Sequence, residues 1–211
     1  MQGIGGGIDL RIPGASPKAL ESIITHRSVG SVHLDQRAAA ALPAPLELKL
    51  APDGLDAWRK IVRIIQAYEA WQSFGTFVTA AKPQLGPGIR ERIASAASVT
   101  AQQTEAARAA MASARRHIRA LVPPGTVLAL PTSPCIAPPV ELPADALEPF
   151  RTRVMRLTCV SGLSGLPQVT LPAGVVDGCP AGLSLLGWAG SDEALLDLAC
   201  ELARYCGIIL P

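Results

Sequence analysis

The sequence predicts an α/β fold, and three features of it carry that prediction. Apolar side chains recur at helical spacing over long stretches, from Trp58 through Tyr68 and again from Ala107 through Leu121. Between such stretches lie short apolar runs, above all Val127-Leu128-Ala129-Leu130, of the kind found in fully buried strands. Proline and glycine clusters separate the two kinds of segment at 86–88, 123–125 and 177–178.

Residues 1–45 hold a glycine tract and scattered prolines with little sustained periodicity, so the first element is expected late. Leu46-Glu47-Leu48-Lys49-Leu50 alternates as a short half-buried strand should. From Asp53, a good N-cap, the positions Trp58, Ile61, Val62, Ile65 and Tyr68 predict a long helix continuing through Phe74, Phe77 and Val78 to Pro83, with a break at Gly75. Gly86-Pro87-Gly88 is a turn that opens a second helix. Thr100 with Gln103 has the spacing of a capping box for a third, whose core stripe is Ala107, Ala110, Met111, Ala114, Ile118 and Leu121. Pro123-Pro124-Gly125 stops it, and the apolar strand follows.

From Pro143 a helix is expected through Leu147, Phe150, Val154 and Leu157, ending in the small-residue segment Ser161–Pro167. Strands at Gln168–Leu171 and Leu183–Leu186 are separated by a turn at Asp177-Gly178. Ser191 is placed to cap a last helix, with Asp192 and Glu193 in the first turn and Leu195, Leu198, Ala199 and Leu202 on its apolar face.

Composition narrows the function. Of 211 residues 49% are hydrophobic and 17% charged, which excludes a disordered chain. The 19 basic and 17 acidic residues are interspersed, for a net charge of +2, so neither nucleic acid nor an anionic membrane is an expected partner. The densest basic cluster, Arg115-Arg116 with Arg108 and Arg119, reads as a solvated helix face. The five cysteines, at 135, 159, 179, 200 and 206, have no C-x-x-C spacing, which points to a reduced, cytoplasmic compartment and away from a zinc site or a secreted disulfide framework. The start of the chain has no basic region followed by an apolar stretch, so no signal peptide is read there. Leu157 to Val176 is uncharged for a membrane-span length, but Gly162, Gly165, Pro167, Pro172 and Gly174 favour a buried strand with tight turns. Ala120 to Val140 carries six prolines and cannot be a continuous helix.

Local motifs for chemistry are lacking. Ser164 lies in a G-x-S context but is followed two residues later by Leu166, where a nucleophile elbow needs glycine. Gly3-x-Gly5 lacks the third glycine of a dinucleotide fingerprint. His26, His33 and Asp35 have no common ligand spacing, and His117 is far off, so the histidines read as surface residues and no metal or cofactor is expected. No Ser, Cys or Lys has a base beside it in the sequence.

Four strings in fixed order nevertheless resemble a known family: Ala146–Arg153, Ser161–Pro172, Cys179–Leu185 and Gly190–Leu196. They look like the carboxy-terminal end of amidase signature enzymes. Lys82–Arg92 and the Leu130-Pro131-Thr132 strand end resemble the same family, especially its indoleacetamide-hydrolase-like branch. The resemblance implies one mixed β-sheet flanked by helices, and a Ser/cis-Ser/Lys triad belonging to the family's amino-terminal half. The family's glycine- and serine-rich signature has no counterpart in this sequence, so no catalytic residue is assigned. Gly7–Ser16 faintly resembles the family's G-G-S-x-R-x-P-A-S, with Asp9 where the nucleophilic serine would stand.

The expected organisation is therefore a segment 1–45, disordered or foreign to the family fold, and an amidase-like carboxy-terminal domain, 46–211. The expected function is that of a truncated or split amidase, inactive alone, whose intact form would hydrolyse a small carboxamide. The alternative is a non-catalytic binding module derived from the same fold. Candidate substrate-contacting residues are Thr132, Ser133, Ser161 and Ser164, because small-molecule sites gather at strand-end loops of α/β sheets. Expected partners are a small amide, an amino-terminal amidase half, or a second copy of the chain.

Overall fold

A computed structural model describes Ile8–Leu10, Ile23–Thr25 and Val32–Leu34 in the amino-terminal segment, then residues 50–205 apart from Pro87 and Asp177. The three amino-terminal stretches are short strands, β1, β2 and β3. Helices α1 (Leu55–Ala81), α2 (Ile89–Ala97) and α3 (Ala101–Leu121) follow, then strand β4 (Val127–Pro131) and helix α4 (Ala144–Ser164). Strands β5 (Gln168–Val176) and β6 (Cys179–Leu186) and helix α5 (Asp192–Tyr205) complete the described chain. The sheet has the order β2-β4-β6-β5, with β2 parallel to β4 and the remaining pairs antiparallel, so it is mixed, as expected. A separate parallel pair joins β1 to β3.

The helices form where the periodicity put them, with instructive differences in detail. The N-cap of α1 is Gly54 rather than Asp53. The helix runs unbroken through Gly75, which is buried because the Trp71 indole, one turn earlier, lies where a side chain would go; a Cβ there would meet Trp71 at 2.9 Å. Phe74 and Phe77, expected as a continuation of the core stripe, are exposed. The capping box of α3 is present as expected, with the Thr100 hydroxyl accepting from the Gln103 amide and the Gln103 side chain accepting from the Thr100 amide. Of its stripe, Ala107, Ala114 and Ile118 are buried and Ala110 is exposed, while Thr104 joins the buried face by bonding back to the Thr100 carbonyl at 2.9 Å.

The uncharged stretch Leu157 to Val176 is not one strand: its first eight residues are the last two turns of α4, and β5 begins only at Gln168. The hairpin strands are longer than the sequence indicated, because Pro172 is accommodated beside a register shift at Pro172/Gly174. Ser191 stands just ahead of α5, but its hydroxyl donates to the Trp188 carbonyl at 2.7 Å. Gly187 lets that happen, for a Cβ on it would collide with the Ser191 hydroxyl. The expected strand 46–50 lies outside the described residues except for Leu50, which is buried.

The main core fills the space between α1, α3, α4 and one face of the sheet, with Trp58, Val62, Ile118, Leu128, Leu130, Val160, Leu163 and Leu186 in mutual contact. Leu128, Leu130 and Leu186 alternate along β4 and β6 with Ala129 and Leu185, which turn to the opposite face. Helix α5 packs on β5 and β6, burying Leu195, Ala199, Leu202 and Ala203. Among the described residues, no helix is long and apolar enough to cross a membrane.

Candidate functional site

The sheet face that carries the core changes character along its length. Leu128, Leu130 and Leu186 cover one end. Toward the carboxyl end of β4 the same face presents Thr132, Ser184 and Thr170, with glycine at 182 opposite Thr132. The Thr132 and Ser184 hydroxyls are 2.9 Å apart, and those of Ser184 and Thr170 are 3.0 Å apart. Ser184, in the middle, is buried, Thr132 is half-buried and Thr170 is exposed, so the row reaches the surface at Thr170. Three hydroxyls share two hydrogen bonds, and one O–H therefore remains for an acceptor outside the row. Gly182 makes the row possible, since a Cβ would lie 2.8 Å from the Thr132 hydroxyl.

Ser133, one residue past the strand end, donates to the Cys135 carbonyl at 2.7 Å and folds the proline-rich loop back on itself. Thr132 and Ser133 thus sit together, but Ser161 and Ser164 do not join them. Gln168 pairs through Leu186 with the start of β4, whereas Thr132 leaves its end. Four residues of strand, about 13 Å, separate the two levels.

Ser161 and Ser164 close the end of α4. Gly165 takes the left-handed conformation (φ 63°) that ends the helix, with its amide on the Ser161 carbonyl at 2.8 Å. The Ser161 hydroxyl donates to the Leu166 carbonyl, while that of Ser164 donates to the Ser161 carbonyl and accepts from the Leu166 amide. Arg115 and Arg119 donate from α3 to the carbonyls of Leu163 and Ser164 at 2.9 and 2.8 Å. Two guanidinium groups therefore meet the negative end of α4. Arg108, Arg116 and Arg119 are exposed, as a solvated helix face would be, but Arg115 is half-buried, and Arg115 and Arg119 are both engaged by the end of α4; Arg108 pairs with surface carboxylates, Glu105 and Glu69.

His117 is also not a surface residue. It is half-buried, its Nε2 lies 3.0 Å from the Leu50 carbonyl, and its ring meets the edge of Trp58 with centroids 6.2 Å apart. His26 and Asp35 lie outside the described residues, as do the side chains of His33 and of Asp9 in the Gly7–Ser16 string. No cluster of metal-ligating side chains occurs among the described residues. Within the same limits, no carboxylate, imidazole or amine bonds to any of the hydroxyls above, so none is set up as a nucleophile.

No family model matches the sequence. Over 144 residues the chain is 33% identical to Amidase 1 of Arabidopsis thaliana, and over 143 residues 37% identical to Amidase 1 of Oryza sativa subsp. japonica. The matched stretches cover 68% and 67% of this chain. A crystal structure of an amidase superposes with a TM-score of 0.71 at 20% identity, covering 87% of this chain and 45% of the other. A bacterial aryl acylamidase of the amidase signature family superposes with a TM-score of 0.66 at 18% identity, covering 90% and 46%. The chain belongs with the amidase signature family.

This amidase signature chain spans about a third of the length of the curated relatives it matches, 34% and 33%. Within it, sequence reasoning missed Ser184 and Thr170, which complete the row at Thr132. The signal was present as period-two alternation: Ser184 and Thr170 are the hydroxyl positions of two strands whose flanking residues, Leu183, Leu185 and Leu171, are buried on the other face.

Proposed function

We propose that this chain acts as the carboxy-terminal part of an amidase whose complete form hydrolyses a small carboxamide by serine acyl transfer. A serine oxygen would attack the amide carbon, the amine would leave with a proton, and water would then cleave the ester to a carboxylic acid. Identity to the proteins named Amidase 1 over about two thirds of the chain is the observation that carries this reading. The part played by this chain is structural and substrate-facing: Thr132 and Ser133, with Ser184 and Thr170, form a hydroxyl-rich wall at the end of the sheet. Ser161 and Ser164 hold the α4 turn at its other end. Among the described residues no base stands at any of these hydroxyls, which supports the reading that the chain takes its nucleophile from an amino-terminal half and is inactive alone. Free thiols at Cys135, Cys159, Cys179 and Cys200 suit a reducing, cytoplasmic setting.

A second reading, a non-catalytic module that binds through this fold, is favoured by the internal hydrogen bonds of Ser133, Ser161 and Ser164, which leave these hydroxyls engaged by the chain's own backbone. One experiment separates the two. The chain is co-expressed with the amino-terminal half of an Amidase 1 relative, purified through a tag on one partner, and assayed for ammonia release from aryl acetamides. Hydrolysis that requires both chains, and vanishes when the partner's nucleophilic serine is alanine, supports the split enzyme. A stoichiometric but inactive complex supports the module. Turnover by this chain alone, with a fluorophosphonate label on it, overturns both.

A further inference from the structure

Helices α1, α2 and α4 line an open cleft of about 270 Å³ that touches none of the four candidate residues. Its wall carries Arg59 and Arg63 from α1, Arg92 from α2 and Arg151 from α4, against a single carboxylate, Glu148. Arg59 and Arg63 are four residues apart and so share one helix face. No basic string in the sequence announces this cluster, because the fold assembles it from three helices.

Most of the donor capacity is unspent. Arg92 and Arg151 both approach Glu148 Oε2, each at 3.7 Å, within ion-pair reach but beyond a hydrogen bond. Arg59 uses its Nε on Asp56 Oδ1 at 2.8 Å, which leaves its two terminal nitrogens for another acceptor. Arg63 has no ion pair among the described residues. Asp56 offers little relief, since Lys60 and Arg156 crowd the same carboxylate. Four guanidinium groups around one carboxylate repel one another, and a second anion between them would remove that cost. The rest of the wall is apolar, with Phe150, Val154 and Met155.

We propose that this cleft is a binding site for a small organic carboxylate with an aryl or branched apolar body. The guanidinium forks suit a carboxylate, which they hold bidentately, and Phe150, Val154 and Met155 suit the body behind it. The volume, about 270 Å³, lies just below the usual range for ligand sites and fits a single ring. The site lies wholly within this chain, so binding is read without turnover and stands apart from the amidase reading.

The test is calorimetric titration of the full chain with benzoate, with neutral benzamide and inorganic phosphate as comparators. Benzoate is expected to bind with a Kd of about 1 mM or below. Benzamide, which lacks the charge, and phosphate, which lacks the apolar body, should each bind at least tenfold more weakly, roughly the worth of one charge-assisted hydrogen bond. Arg63→Gln and Arg151→Gln should each weaken benzoate about tenfold, whereas Glu148→Gln should tighten it. Arg63 is exposed and has no ion pair among the described residues, so R63Q keeps the fold and carries the test if R151Q does not. Absence of benzoate binding, equal binding of benzamide or phosphate, or an unchanged affinity in R63Q overturns the proposal.

Discussion

Arg119 reaches from the last turn of α3 to the end of α4, where its Nε donates to the Ser164 carbonyl at 2.8 Å. Arg115, one turn earlier, does the same for Leu163, so two carbonyls that a helix end leaves without partners are both met by cations. Arg119→Ala should therefore cost about 1–2 kcal/mol, the worth of a charge-assisted hydrogen bond that is partly exposed. Denaturant melts of R119A, R115A and the double variant check this. The double variant should lose less than the sum of the singles, because both act on one helix end.

The hydroxyl row makes a sharper demand on shape. Gly182→Ala would place a Cβ 2.8 Å from the Thr132 hydroxyl and 3.2 Å from Thr170 Cγ2, and should destabilise by about 1–3 kcal/mol. Thr132→Ala in that background removes the closest atom and should recover part of the loss, although Thr132 Cβ remains at 3.0 Å. A double-mutant cycle by thermal melting reads the coupling. Additive effects would show that the strand ends move apart freely.

How much of this was legible in the sequence depended on the range of the interaction. The Thr100–Gln103 box and the buried strand Val127–Leu130 are written in neighbouring residues, and both were found by spacing alone. Gly75 misled because its meaning lies in Trp71, whose indole fills the gap that the missing side chain leaves. The bonds of Arg115 and Arg119 went unread for the same reason at longer range, since the partners are 48 and 45 residues away and are carbonyls, which leave no mark in a sequence. Thr132 was found at its strand end, but its pairing with Ser184 needs the β4–β6 register, and no local pattern sets that.

The cysteines should differ widely in reactivity. Burial pushes the Cys159 thiol up to about 12, and its Sγ faces the Arg156 carbonyl. Cys135 is exposed, with an Arg153 guanidinium nitrogen 3.9 Å from its sulfur. At pH 8, Ellman's reagent should label Cys135 quickly and Cys159 only after unfolding. Cys135→Ser should abolish the fast phase that this thiol supplies, as peptide mapping would verify. Because the folded pKa of Cys159 is raised, its contribution to stability is complete below the ordinary thiol pKa and is lost as pH rises above it. Alkaline melts of the wild type should accordingly fall faster than those of Cys159→Ala.

Asp56 should give the opposite dependence. Its carboxylate accepts from Arg59 at 2.8 Å and Arg156 at 3.2 Å, and Lys60 approaches at 3.3 Å. Arg59 first, then Arg156 and Lys60, hold it well below the usual carboxylate range despite the opposing effect of desolvation. The folded state therefore binds its proton less readily than the unfolded chain, and stability rises with pH across the interval between the two values. That contribution is complete above the unfolded pKa of about 3.9 and is lost as pH falls below it. Asp56→Asn should lower the melting temperature by roughly a few degrees at pH 7, a modest effect because water screens the cluster. The gap between wild type and variant should hold from pH 5 to 8, roughly, and close as pH drops below about 4. Added salt should narrow it at neutral pH. A gap that persists unchanged in acid and in salt would mean that Asp56 serves by its shape, joining α1 to α4 through Arg156 as a hydrogen-bond acceptor whatever its charge.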